Sequence, residues 1–177
     1  MQRWFELKIK KAGKLLIGLR DIVILVVVVV AITAWQSRHL LESDGTVELN
    51  NIRLVELSGS TENLLTGEKQ TLLYFFAPWC KICSLSIGNL DYLSSENINI
   101  VTVAMDYQSV EEVQLFVDKN QVKSLVLLGT EDLKSTFKIN GYPTYYLINT
   151  QSQVISSSFG YSSAIGLKLT QFFNSQG

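Results

Sequence analysis

The sequence predicts an α/β protein with a mixed central β-sheet flanked by helices, preceded by one N-terminal transmembrane helix. Three observations predict it. Short apolar runs rich in β-branched and aromatic residues alternate with amphipathic helical patterns through the middle of the chain. Two further strand patterns then flank a polar turn, and a helix closes the chain. At the other end, a cluster of basic residues precedes a long apolar run.

The N-terminal run comes first. Residues 22–35 are apolar but for one threonine and would span about 21 Å as a helix, short of a hydrocarbon core of roughly 30 Å. Including residues 15–19 brings the span near 31 Å, with Arg20 and Asp21 left near the inner surface. Arg3, Lys8, Lys10, Lys11, Lys14 and Arg20 all precede the run, which places the N-terminus in the cytoplasm and exports everything after Trp35. A cleaved signal peptide would need small residues one and three positions before the cut. A cut after Ala34 meets Ile32 and one after Ser37 meets Trp35, so a retained anchor is expected. The expected organisation is a cytoplasmic basic segment at 1–14, an anchor at 15–36, a tether at 37–46 and a folded domain at 47–177. The expected location is the inner (cytoplasmic) membrane, single-pass, with the domain in the periplasm or outside.

Residues 46–57 alternate loosely and predict one or two short strands. Residues 58–70 read as a loop with a helical turn at 62–65, and 71–76 as a buried strand. A helix follows over about 80–95, with Ile82, Leu85, Ile87, Leu90 and Leu93 as its stripe and a kink at Gly88. Residues 97–104 form a second buried strand. Ser109 caps the next helix, Glu112 stands three residues on, and Val113, Phe116 and Val117 are its apolar face. A short apolar run at 126–128 and a brief helix at 131–137 come next. Strands at 145–148 and 154–159 flank the polar turn 149–153 as a hairpin. The last helix, 163–173, puts Ile165, Leu169 and Phe172 on one side.

Composition narrows the function. The net charge of −1 points to no nucleic-acid partner, and two prolines with no repeats exclude a disordered or solenoid chain. The only two cysteines, Cys80 and Cys83, are separated by two residues where a strand gives way to a helix. The thiolate is the nucleophile in disulfide exchange, and its pKa falls from about 8.5 to about 3.5–7 in Cys-X-X-Cys motifs at helix starts. Cys80 is therefore expected to attack and Cys83, one turn on, to resolve. With His39 as the only histidine, a four-ligand zinc site is not expected, and His39 is assigned no role. A purely structural disulfide across so short a loop would stabilise little. No metal is expected, and no cofactor beyond the redox-active Cys80–Cys83 pair.

Residues 75–83, Phe-Phe-Ala-Pro-Trp-Cys-Lys-Ile-Cys, resemble the strand–active-site–helix motif of the thioredoxin superfamily, and Gly141-Tyr142-Pro143-Thr144 resembles its second motif. The resemblance covers roughly residues 47–177. It is nearest to the exported, membrane-anchored TlpA-like group, which includes copper-sensitivity-suppressor proteins. It implies a thioredoxin-like fold with a cis peptide before Pro143, turning the Tyr142 backbone toward substrate. Trp79 is expected as a lid over the disulfide, with a core tryptophan as the alternative, and Lys81 and Ile82 as residues that tune the redox pair. Three positions depart from the family. Tyr74 stands where thioredoxin has a buried aspartate, Ser86 where many relatives have a glutamate, and Gly88 where a proline often kinks the helix. Water, Glu68 or Asp106 are then the candidates to take the Cys83 proton. The implied activity is a tethered thiol–disulfide oxidoreductase that reduces protein disulfides and is recharged by a membrane electron donor. The alternatives are a reductant of apocytochrome c and a non-enzymatic Cu(I)-binding module.

Overall fold

The computed structural model describes residues 20–32, 35, 38–93 and 98–174, with side chains to residue 169. The chain divides into two compact units, Met1–Arg38 and His39–Gly177.

In the first unit residues 20–32 form helix α1, with every side chain exposed. The Arg20 guanidinium pairs with Asp21 at 3.0 Å, and Arg38 stacks 4.8 Å over the Trp35 ring. Among the described residues no helix is long and apolar enough to cross a membrane. At 1.5 Å per residue the described part of α1 is about 20 Å long, and residues 15–19, 33, 34 and 36 of the expected anchor lie outside the described residues.

The second unit is built on one seven-stranded sheet with the order β2-β1-β5-β4-β3-β6-β7. Its strands are β1 (Arg53–Glu56), β2 (Thr61–Asn63), β3 (Gln70–Phe76), β4 (Ile98–Ala104), β5 (Leu125–Leu128), β6 (Thr144–Ile148) and β7 (Val154–Phe159). The three middle strands β5, β4 and β3 are parallel, as crossover helices require; the rest pair antiparallel. The helices after α1 are α2 (Lys81–Ser86), continued by a 3-10 helix (Ile87–Tyr92), then α3 (Val110–Asn120), α4 (Glu131–Thr136) and α5 (Ala164–Asn174).

Successive residues of β3 point to opposite faces. Tyr74 reaches Ser86 of α2, and Phe76 stacks on Phe116 of α3 with ring centroids 4.7 Å apart. Phe75 points the other way and packs on Phe137, which follows α4, and on Tyr146, at 5.0 and 6.1 Å. Helices therefore cover both faces, and a strand in the middle of the sheet is almost wholly apolar. The Tyr146 hydroxyl is satisfied inside: it donates to the Phe137 carbonyl at 2.7 Å and accepts from the Leu41 N–H at 3.3 Å. Leu40 and Leu41 are buried, so the stretch read as a tether contributes to this core.

Several expectations change. The helical turn at 62–65 is instead strand β2, which closes a hairpin on β1 with Arg53 opposite Asn63. The helix expected over 80–95 stays α-helical only to Ser86 and then tightens into the 3-10 helix; residues 94–97 lie outside the described residues. The cause is local: the Ser86 hydroxyl bonds back to the Ile82 carbonyl at 3.0 Å, and Gly88 follows without helix-favouring character. At Ser109 the hydroxyl accepts from the Glu112 N–H at 3.3 Å, but the Glu112 carboxylate returns to Gln108, one residue earlier than a capping box places it. On α5 the inward residue is Leu167, at 7% exposure, while Ile165 stands at 73%. Helical spacing revealed an apolar stripe there, but not which side meets the domain. Phe172 lies outside the described side chains.

Candidate active site

The site forms where β3 ends. The chain turns at residues 77–80, closed by the Cys80 N–H on the Ala77 carbonyl at 2.9 Å, and α2 begins. Cys80 is the N-cap, with extended backbone, and its Sγ accepts the Cys83 N–H at 3.1 Å. An N-cap group normally satisfies one of the unpaired N–H groups of the first turn, and here a sulfur does so. The same bond stabilises negative charge on Cys80 once the pair is reduced. In the structure Cys80 and Cys83 are joined as a disulfide, with Cα atoms 5.2 Å apart. Cys80 keeps 8% exposure and Cys83 has none, so only one of the two sulfurs is reachable.

The Tyr142–Pro143 peptide is cis, and the Tyr142 carbonyl oxygen lies 3.6 Å from Cys80 Sγ. The two sequence motifs, sixty residues apart, therefore meet at the reachable sulfur. Trp79 is 60% exposed, which excludes the core alternative. Its indole N–H donates to the Asp106 carbonyl at 3.0 Å, and its ring meets Tyr142 edge-on at 5.8 Å. Lys81 is exposed and makes no ion pair among the described residues; Ile82 is also exposed.

Behind Cys83 the departing positions come together. The Tyr74 hydroxyl lies 2.9 Å from Ser86 Oγ and 3.2 Å from the Cys83 carbonyl, and both side chains are fully buried. Burial pushes the Tyr74 phenol well above its usual pKa, and the Tyr145 ring packs edge-on against it at 4.9 Å. At these two positions, where the resemblance led to an expected carboxylate, the chain places two hydroxyls bonded to each other. Neither proposed carboxylate joins them. Glu68 precedes the start of β3, so a strand of about 20 Å separates it from the cysteines. Asp106 lies on the Trp79 side, where both carboxylate oxygens hold Lys134 Nζ at 2.7 Å. This bond raises the Lys134 pKa above its ordinary value.

Asp106 is the residue whose place in the site the sequence reading missed. It follows β4 with φ of 47°, carries the Trp79 indole on its carbonyl, and ties α4 to the site through Lys134. Its position just past the carboxyl end of a parallel strand was the available signal, since sites in α/β sheets gather there. The Tyr142 hydroxyl is buried beside this group, and burial together with the Asp106 carboxylate pushes its pKa well above the usual value. Among the described residues no three His, Cys, Asp or Glu side chains gather to hold a metal.

Known proteins share the family and fold. A family model described as thioredoxin-like matches residues 67–154, from just before β3 to the start of β7. A thioredoxin-like protein of Haemophilus influenzae is 30% identical over 129 residues, covering 71% of this chain and 77% of that one. Among solved structures, a thiol:disulfide interchange protein of Chlorobium tepidum superposes with a TM-score of 0.62 at 20% identity, over 70% of this chain and 92% of that one. MTB dsbF, solved in mixed oxidized and reduced forms, superposes with a TM-score of 0.59 at 26% identity, over 68% of this chain and 93% of that one. With its cysteine pair at the helix start beside the cis Tyr142–Pro143 peptide, and with this kinship, the chain belongs to the thioredoxin-like family.

Proposed function

We propose that the protein is an exported, membrane-tethered thiol–disulfide oxidoreductase that reduces protein disulfides through Cys80 and Cys83. The observation that carries this reading is the asymmetry of the pair. Cys80 Sγ is reachable and receives an N–H bond at 3.1 Å, while Cys83 is fully buried one turn away. The similarity to a thiol:disulfide interchange protein supports the same reading.

The Cys80 thiolate attacks one sulfur of a substrate disulfide; that bond breaks, and the departing thiolate takes a proton from water. Cys83 loses its proton to water and attacks Cys80 Sγ, so the mixed disulfide breaks and the substrate leaves as a second thiol. Two electrons pass to the substrate, and the pair becomes the disulfide seen here. A dithiol donor then restores it, and a membrane protein is the natural source if the domain is tethered. The Tyr142 carbonyl, 3.6 Å from Cys80 Sγ, is available to pair with an extended substrate backbone. Trp79, beside Tyr142, offers an apolar surface to the same segment. Lys81, next to Cys80, favours the thiolate by its charge, and Ile82 keeps the approach apolar. The pair works without metal or bound cofactor in this scheme.

Tethering rests on the sequence, where six basic residues precede the apolar run. The test is insulin reduction by the full chain in detergent micelles with dithiothreitol as donor. Turnover that disappears in Cys80→Ser is expected. Inert thiols that instead take up Cu(I) tightly would replace this reading with a copper-binding one. The direction of electron flow is read from the potential of the pair: a value near −270 mV supports a reductant, and one near −120 mV an oxidant.

A further inference from the structure

Around Cys80 the surface opens into a groove of about 620 Å³ between α2 and α3. Phe116, almost fully buried, forms its floor, and the Ser84 hydroxyl bonded to Asn120 joins its walls. Leu85 on α2 and Leu115 on α3 line it at 74% and 69% exposure. Trp79, 60% exposed, lines it as well. Large apolar side chains left open to water together, next to a reactive sulfur, mark a contact surface rather than scattered exposure.

The charge around the groove has one sign in excess. Lys81 and Lys119 line it, and neither makes an ion pair among the described residues. The single lining carboxylate, Glu112, is occupied by the Gln108 N–H at 2.9 Å. We propose that this groove docks the polypeptide being reduced, and that it selects a segment with a large apolar side chain and a carboxylate near its cysteine.

The proposal rests on the oxidoreductase reading and adds its substrate class. The geometry also sets the spacing. Leu85 lies four residues beyond Lys81, the first residue of α2 and the neighbour of Cys80, a rise of about 6 Å, which two residues of extended chain cover. Leu115 and Lys119 are one turn apart on α3, about 6 Å, the step from one extended residue to the next but one. An apolar residue two positions from the substrate cysteine therefore reaches the leucines, and a carboxylate two positions further on reaches Lys119. The continuity of the groove with Cys80 is what commits it to substrate.

The experiment uses the reduced full chain in micelles and peptides whose cysteine carries a neutral pyridyl disulfide. Attack by Cys80 forms the peptide–Cys80 disulfide and releases thiopyridone, which is read by absorbance. Each rate is divided by the rate with dithiodipyridine, which reports thiolate reactivity alone. The peptide Asp-Gly-Leu-Gly-Cys-Gly-Leu-Gly-Asp is expected to react about tenfold faster than its Leu→Ser or Asp→Lys counterparts, a margin of about 1.4 kcal/mol. Lys119→Glu should reverse the preference for aspartate over lysine, and Leu115→Ser should bring the preference for leucine to within about twofold. Equal normalised rates for the three peptides, or preferences that survive both substitutions, overturn the proposal. Equal rates together with a dimer in sedimentation would assign the groove to a second copy of the chain, and overturn it too. No reaction even with dithiodipyridine overturns the oxidoreductase reading itself, and this one with it.

Discussion

Replacing Tyr74 by phenylalanine removes one oxygen from the most buried part of the site. Phenylalanine keeps the ring, so the contacts with Tyr145 and Phe76, at 4.9 and 6.2 Å, survive. The hydroxyl has one proton to give and two acceptors within reach, Ser86 Oγ at 2.9 Å and the Cys83 carbonyl at 3.2 Å. Neither is stranded by the change. Ser86 Oγ still bonds the Ile82 carbonyl at 3.0 Å, and the Cys83 carbonyl still accepts the Ile87 N–H. The loss is therefore one net hydrogen bond, about 1 kcal/mol, or roughly 3 °C in melting temperature for a domain of this size. The urea midpoint of the oxidised protein measures it. The functional side follows from the phenol's environment. Burial raises its pKa, so it holds its proton at neutral pH and is no base for Cys83. Insulin reduction by Tyr74→Phe should stay within about twofold of the native rate, since one net hydrogen bond to a carbonyl and a hydroxyl does not touch the reacting sulfurs. A tenfold fall in turnover with stability intact would show that the hydroxyl does take part in proton transfer, and the reasoning would fail. A stability loss above about 3 kcal/mol would show that the pair is a network worth more than its bonds.

Three further outcomes are expected. Lys134→Met removes the ion pair with Asp106, whose side chains are 29% and 24% exposed, and should cost about 1 kcal/mol near neutral pH by urea unfolding. Because the pair raises the folded-state Lys134 pKa, its contribution is full below the unfolded value of about 10.4 and is lost as pH rises through the folded value; the native and variant midpoints should converge above it. Gly129→Ala drives a new Cβ into Met105 Sδ and to 2.9 Å from the Ala104 carbonyl, so a loss of about 2 kcal/mol or more is expected in the same assay; an unchanged midpoint would contradict that packing. In the reduced protein iodoacetamide should label Cys80 in the native state and Cys83 only after unfolding, as mass spectrometry of the digested chain reports; equal native labelling would remove the asymmetry on which the mechanism stands.

Much of the fold is legible in the sequence because it is written in short-range patterns. The run at 71–76 became the interior strand β3, Ser109 began α3, and the polar turn at 149–153 joined β6 to β7. These depend on residues a few positions apart, where backbone geometry and side-chain periodicity leave few choices. The order of the strands was not legible: β5 inserts between β1 and β4, and β2 closes a hairpin where a turn was expected. Strand pairing depends on which surfaces the closed chain buries, and a residue's own neighbours in sequence carry no record of it.

The site divides along the same line. Cys80, Cys83 and the start of α2 lie within one turn, so the sequence alone determined that a sulfur would cap a helix and that its partner would wait behind it. The fold alone decided what surrounds them. Tyr142 reaches the reactive sulfur across sixty-two positions, Tyr74 meets Ser86 across twelve, and Lys134 meets Asp106 across twenty-eight. Such contacts exist only once β3, β6 and the helices have stacked, because loop closure must bring the groups together before hydrogen bonds of a few ångströms can form between them.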